Sequence, residues 1–285
     1  MSNDGATWVP LSRRAAGLGA DETLYEGTPP HLRTSLEDWV LSLYRGVAFA
    51  STRDFLDTLL QTIQARMRWS RKPADPRKLD DEALLDLIDA LLAFTPPKSI
   101  RFMTEYGSDP VAMLDAFLGL AGSAWCVAVG GDGLERRVDP TVAAAVQATI
   151  SNAPQEASQH LAAAWSRAYG RDPDPDKAYD EAVLAVEALA CPLVCPTNPR
   201  RTLGRVITDL ESQAGQWELD FGDKDGNPAQ PEPLIAMLKL LWQGQSRHAG
   251  SANSRSQTKA EGEAAVHLAA TVVQWLHNNV LRKKR

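Results

Sequence analysis

Two stretches near the end of the chain set the strongest constraint on its fold, because their apolar residues recur at the period of an α-helix. In the first, Leu234, Ile235, Met237, Leu238, Leu241 and Trp242 share one broad face; in the second, Ala265, Leu268, Val272, Trp275, Leu276 and Val280 do the same. Side chains three or four residues apart lie on one side of a helix, so each stretch carries a surface that must leave water. The spacing predicts helices over Pro233–Trp242 and Lys259–Leu281, packed face to face. Thr258-Lys259-Ala260-Glu261 supplies a capping box for the second, in which hydroxyl and carboxylate satisfy otherwise unpaired N–H groups. Helical patterns over Asp176–Ala190 and Thr202–Gln213 complete a set of four, enough for a small bundle.

Upstream the reading is also mainly helical. Residues 1–30 are rich in Gly, Pro and small polar residues and show no period, which predicts an extended arm. Helices are expected over Leu32–Tyr44, Thr52–Trp69 and Leu79–Phe94, with Leu36, Trp39, Val40 and Leu43 facing a core. The basic, Pro-containing stretch Arg71–Lys78 breaks the pattern as a loop. Over 124–138 the period changes to that of a strand around Gly130-Gly131-Asp132-Gly133, which predicts a small β-hairpin. Asp139-Pro140 opens an Ala-rich helix that is interrupted near Pro154 and resumes to Tyr169. Gly170–Pro175, with two prolines, reads as a linker between a helical N-terminal domain over 31–170 and a C-terminal domain over 176–285. The expected fold class is all-α with one hairpin.

Composition narrows the function classes. The 285 residues are 44% apolar and 23% charged, a globular balance rather than a disordered one. A net charge of -6 gives no global attraction to nucleic acid or anionic membrane, so any RNA site must be local. The short basic concentrations are Arg66–Lys78, Arg200-Arg201 with Arg205, Arg247-His248 with Arg255, and Arg282–Arg285. No run is apolar and long enough to span a membrane, and Met1–Ala20 lacks the order of a signal peptide; these predict a cytoplasmic protein without a membrane partner. Three cysteines, Cys126, Cys191 and Cys195, suit free thiols in a reducing compartment. Neither metal nor cofactor is expected, since Cys191 and Cys195 lack the spacing and second ligand pair of a zinc site.

The order and spacing of Ala178-Tyr179-Asp180-Glu181-Ala182-Val183, Thr202-Leu203-Gly204-Arg205-Val206-Ile207, Trp242–Gly250 and the helix after Thr258 resemble the C-terminal domain of abortive-infection proteins, in the wider HEPN class. That resemblance covers about 110 residues, 176–285. It implies a four-helix bundle, bacterial antiviral defence, RNA as partner, a homodimer, and metal-independent endoribonuclease activity. HEPN ribonucleases pair an arginine with a histidine that follows after four to six intervening residues; against His248 the positions for that arginine hold Leu241, Trp242 and Gln243. The catalytic candidates are therefore the adjacent Arg247 and His248. An imidazole exchanges a proton near neutral pH, and a guanidinium meets charge developing on phosphorus. Arg201, Arg205 and Arg255 are the candidate phosphate or RNA ligands, with Glu181 and Glu187 to orient His248.

Each of these has a structural alternative. Arg247 and His248 also suit the end of a helix, where cations meet unpaired carbonyls. Surface glutamates are usually solvated. The alternative function is a non-catalytic dimerisation module whose N-terminal domain senses a protein partner. Asp220, Asp223 and Asp225 read as a loop between helices, His267 as a core or interface histidine, and Arg282–Arg285 as a complement to the preceding helix dipole.

Overall fold

The computed structural model describes residues 11–17, 24–45, 50–95, 99–100, 109–197, 202–222, 224–245 and 255–284. Among them the protein is mostly helical, with two small sheets. It divides into two units, Met1–Arg137 and Val138–Arg285. No described helix is long and apolar enough to cross a membrane.

The first unit contains α1 (Leu11–Ala15), α2 (Pro30–Arg45), α3 (Ala50–Met67), a 3-10 turn (Pro76–Lys78), α4 (Asp81–Phe94), α5 (Pro110–Leu120), β1 (Trp125–Val127) and β2 (Leu134–Arg136). The face expected of α2 is buried: Leu36, Trp39, Val40 and Leu43 join Leu84, Leu85, Ile88, Leu91, Leu114 and Leu118 in one core. Removing each such side chain from water contributes roughly 1.5–3 kcal/mol, which offsets the entropy of ordering the chain. Trp39 keeps its buried indole N–H paired by donating to the Pro110 carbonyl at 2.7 Å. Asp80 caps α4 through the Ala83 N–H at 2.8 Å, and Asp109 caps α5 ahead of a proline in its first turn.

The hairpin expected over 124–138 forms, with Trp125 opposite Arg136, Cys126 opposite Glu135 and Val127 opposite Leu134. Helical carboxylates hold it: Asp115 accepts from the Val127 N–H at 3.0 Å and Asp89 from the Leu134 N–H at 2.7 Å. Of the arm expected as extended over 1–30, Leu11–Ala15 instead form the short helix α1, because a single turn closes its own backbone hydrogen bonds, while the stretch at Tyr25 and Glu26 is tied down. Tyr25 bridges Ser123, and the Trp125 indole donates to the Glu26 carbonyl at 2.6 Å.

The second unit contains α6 (Pro140–Asn152), α7 (Gln155–Tyr169), α8 (Pro175–Val194), α9 (Leu203–Ser212), a 3-10 turn (Ala214–Gln216), β3 (Trp217–Gly222), β4 (Pro228–Ala229), α10 (Glu232–Gly244), α11 (Lys259–His277) and β5 (Leu281–Lys283). At its centre α8 packs against α7, α9 and α11. Its inner face is built from Ala178, Ala182, Ala185 and Ala190 with Val183 and Val186, all buried. Small side chains bring neighbouring helices close without leaving voids.

Three features of the second unit differ from the sequence reading. Gly170–Pro175, expected as a linker, is a tight connection inside the second unit, closed by the Asp174 N–H donating to the Arg167 carbonyl at 2.9 Å. The proline-rich turn ends α7 and starts α8, while buried Leu161, Trp165 and Ala168 hold α7 in the same core as α8. Asp220, expected in a loop between helices, lies in Trp217–Gly222, the middle strand of a sheet ordered β4-β3-β5. Buried Trp217 and Leu219 alternate with Glu218 and Asp220, the period of a half-buried strand. Last, the final helix stops at His277, so that Leu281 is buried in β5, opposite Leu219.

Candidate functional site

At one end of the second unit, three helix ends converge. Asp174 caps α8 by accepting from the Lys177 N–H at 3.1 Å. Thr258 and Glu261 form the capping box expected of α11, with the Thr258 N–H donating to Glu261 Oε2 at 2.8 Å. α10 ends at Gly244, where a Cβ would overlap the Tyr179 ring and hydroxyl of α8. That approach lets the Tyr179 hydroxyl donate to the Leu240 carbonyl at 3.0 Å. Gly204, in the first turn of α9, approaches α10 so closely that a Cβ there would overlap the Trp242 indole.

Polar side chains lock these ends together. Asp176 Oδ1 accepts from the Gln257 N–H at 2.7 Å, and Gln257 Nε2 donates to the Gly244 carbonyl at 2.6 Å. Gln245 Nε2 donates to Asp180 Oδ1 at 2.7 Å. The two anchors of the connection 246–254, Gln245 on one side and Gln257 on the other, are thus fastened to the first turns of α8. Among the described residues, the buried Oε1 atoms of Gln245 and Gln257 have no hydrogen-bond partner. Buried acceptors left unpaired are costly, so this frame has capacity for further donors.

Arg247, His248 and Arg201 lie outside the described residues. Arg255 is at the frame and forms a two-pronged pair with Glu261, Nη1 at 2.8 Å and Nη2 at 2.5 Å. That guanidinium and the capping hydrogen bonds from Thr258 hold the Glu261 carboxyl down at about 2. Arg205, on the first turn of α9, reaches along its own helix to Asp209, with Nε–Oδ2 at 3.0 Å and Nη2–Oδ1 at 2.8 Å. Glu181 accepts from His160 Nδ1 at 2.7 Å, joining α8 to α7. Glu187 accepts from the Leu203 N–H at 2.6 Å and so secures the start of α9. Both glutamates thus have structural partners on neighbouring elements, and among the described arginine candidates Arg255 is the one tied to the frame, through Glu261.

A second feature escapes sequence reasoning. Between α6 and α11 lies an open cavity of about 380 Å³, lined by Val142, Ala145, Val146, Thr149, His267 and Gln274 among others. Behind it the Tyr169 hydroxyl meets His267 Nε2 at 2.7 Å, with the Trp165 ring edge-on to the imidazole. Burial pushes the Tyr169 hydroxyl up to about 12 and holds His267 below its ordinary 6.5, so near neutral pH an uncharged phenol and an uncharged imidazole share this hydrogen bond. No charged side chain lines the cavity at that pH.

Elsewhere Cys191 and Cys195 are buried at the end of α8 and form no disulfide. Among the described residues no group of three or more His, Cys, Asp or Glu is arranged to hold a metal ion. Compared with known proteins, the chain matches no family model, no curated protein and no solved structure.

Proposed function

We propose that the second unit is a HEPN-like helical bundle of a bacterial defence protein, of abortive-infection or toxin type, that binds RNA at the α10–α11 connection. The observation that supports this reading is the polar frame of Asp176, Asp180, Gln245 and Gln257, which fastens both anchors of the connection carrying Arg247 and His248. Fixing the ends of a short connection lowers the entropy lost when its side chains close on a ligand. In the proposed reaction His248 takes the proton of an RNA 2′-hydroxyl. The 2′-oxygen then attacks the adjacent phosphorus, the P–O5′ bond breaks to leave a 2′,3′-cyclic phosphate, the 5′-oxygen takes a proton from water, and Arg247 stabilises the charge on the phosphorane. Arg205 and Arg255, each already paired with a carboxylate, contribute to the local field more than to direct contact.

Incubating the purified protein with total RNA, beside His248→Ala and Arg247→Ala, tests the reading. Cleavage by the parent chain and its loss in both variants is expected. Equal cleavage by all three, or none by any, removes the enzyme assignment, and a gel shift with the same RNA then decides whether binding remains.

A second reading, a non-catalytic dimerisation module with the first unit sensing a protein partner, is favoured by one observation. Leu240 on α10 is 65% exposed and lies at helical spacing from exposed Pro233 and Ala236. Such a stripe suits a symmetric helix–helix contact. Light scattering at micromolar concentration is expected to give a dimer that Leu240→Glu converts to monomer; a monomeric parent chain removes this reading.

A further inference from the structure

We propose that the exposed cations between Arg66 and Lys78 form a docking surface for the phosphate backbone of a nucleic acid strand, carried by residues separate from Arg247 and His248. This stretch holds six cations, Arg66, Arg68, Arg71, Lys72, Arg77 and Lys78, and one acid, Asp75, in a chain of net charge -6. All six are exposed. Lys72 is paired with Asp57 at 2.6 Å and Arg77 with Asp75 at 2.8 Å. Arg66, Arg68, Arg71 and Lys78 have no ion pair among the described residues. Lys78 stands in the field of Asp75, and Arg77 in that of Glu37 and Asp38 as well. The cations least offset are therefore Arg66, Arg68 and Arg71. Consecutive residues advance at most ~3.6 Å, so these three attachment points lie within ~18 Å of one another. That span matches a few consecutive phosphates of one strand, about 3.4 Å apart along a duplex axis.

The segment is built as a platform. At the end of α3 the chain turns at Arg68, whose φ of 55° lies in the left-handed region. The Trp69 N–H donates to the Gln64 carbonyl at 3.0 Å, and Gln64 Nε2 donates back to the Trp69 carbonyl at 3.3 Å. The Tyr44 hydroxyl donates to the Pro73 carbonyl at 2.8 Å, and Pro73 and Pro76 are buried. A backbone held this way spends little entropy on binding.

The same geometry argues against a membrane surface. Amphipathic basic helices that bind bilayers insert apolar side chains beside their cations. Here Met67, Trp69 and Leu79 instead pack on the core of the first unit, and the exposed residues between the cations are Ser70 and Ala74. Three of the four unpaired cations are arginines, whose planar forks match phosphate oxygens two at a time.

The test is fluorescence anisotropy with the full chain, a labelled single-stranded oligouridylate and a labelled duplex DNA, titrated over salt. Binding to at least one of the two is expected. The triple variant Arg66→Gln/Arg68→Gln/Arg71→Gln should bind it at least about tenfold more weakly and lower the single-strand log–log salt slope by about 2. Arg71→Glu alone, in an exposed loop, should give a smaller loss and remains informative if far-UV circular dichroism shows the triple variant misfolded. An Arg247→Ala/His248→Ala chain should keep this binding, which separates the surface from the RNA reading above. Absence of binding, unchanged affinity and slope in the variants, loss confined to Arg247→Ala/His248→Ala, or binding only to phosphatidylserine vesicles would each overturn the proposal.

Discussion

Glu261 is the residue on which several interactions of the frame depend, since it caps α11, receives the Thr258 N–H and holds Arg255. Its folded carboxyl stands near 2 against an ordinary 4.5, so the unfolded chain binds the proton first as pH falls. The stabilisation is complete above 4.5 and is lost as pH falls toward about 2. Melting temperature followed across that window should therefore drop less steeply in Glu261→Gln than in the parent chain, while the parent remains the more stable near neutrality. Two parallel curves would contradict this assignment. The sequence displayed this residue openly, because a capping box is a local pattern spanning four positions. It did not display that Arg255 would close on the same carboxylate, because residues 255–258 take their course from Asp176, eighty-one positions earlier in the chain.

At the scale of elements, local periodicity was a sound guide to the helices and less so to the strands. The apolar spacing of α2 and the turn chemistry of the β1–β2 hairpin lie within short windows, and both form as read; the Asp80 cap of α4 is equally local. β3 and β5 differ, since neither is stable alone and each exists because the other supplies its hydrogen bonds. Arg282, expected to complement a helix dipole, instead pairs with Glu218 at 2.8 Å and Asp220 at 3.0 Å across that sheet. β5 should owe its stability to its buried residue rather than to its ion pairs, because exposed pairs are screened by water. Leu281→Ala, at 2% exposure, should cost about 2–5 kcal/mol in urea unfolding, and Arg282→Ala only a small part of that shift. The reverse order would show that the ion pairs hold the strand.

For the whole molecule, the position of the unit boundary is the main correction. Gly170–Pro175 has the composition of a linker, yet α7 buries Leu161, Ala164, Trp165 and Ala168 in the same core as α8 and α11. A fragment of residues 138–285 should accordingly melt in one cooperative transition with helical circular dichroism. A fragment of residues 176–285, deprived of α6 and α7, should expose that core face, lose cooperativity and bind hydrophobic dye. If the shorter fragment melts as sharply as the longer, the boundary belongs at 175 after all.

By itself the sequence determined a mostly helical chain, the places where most of its helices start, and the two ends of the α10–α11 connection with their cap. These follow from interactions within a turn or two of helix, which any short window contains. Only the tertiary structure decided that Tyr169 meets His267 beside a cavity, that Glu181 and Glu187 hold His160 and the start of α9, and that Asp176 and Asp180 brace the connection. Those partners lie far apart along the chain, and what selects them is the packing of α8 against its neighbours, a property of the assembled core that no local pattern encodes.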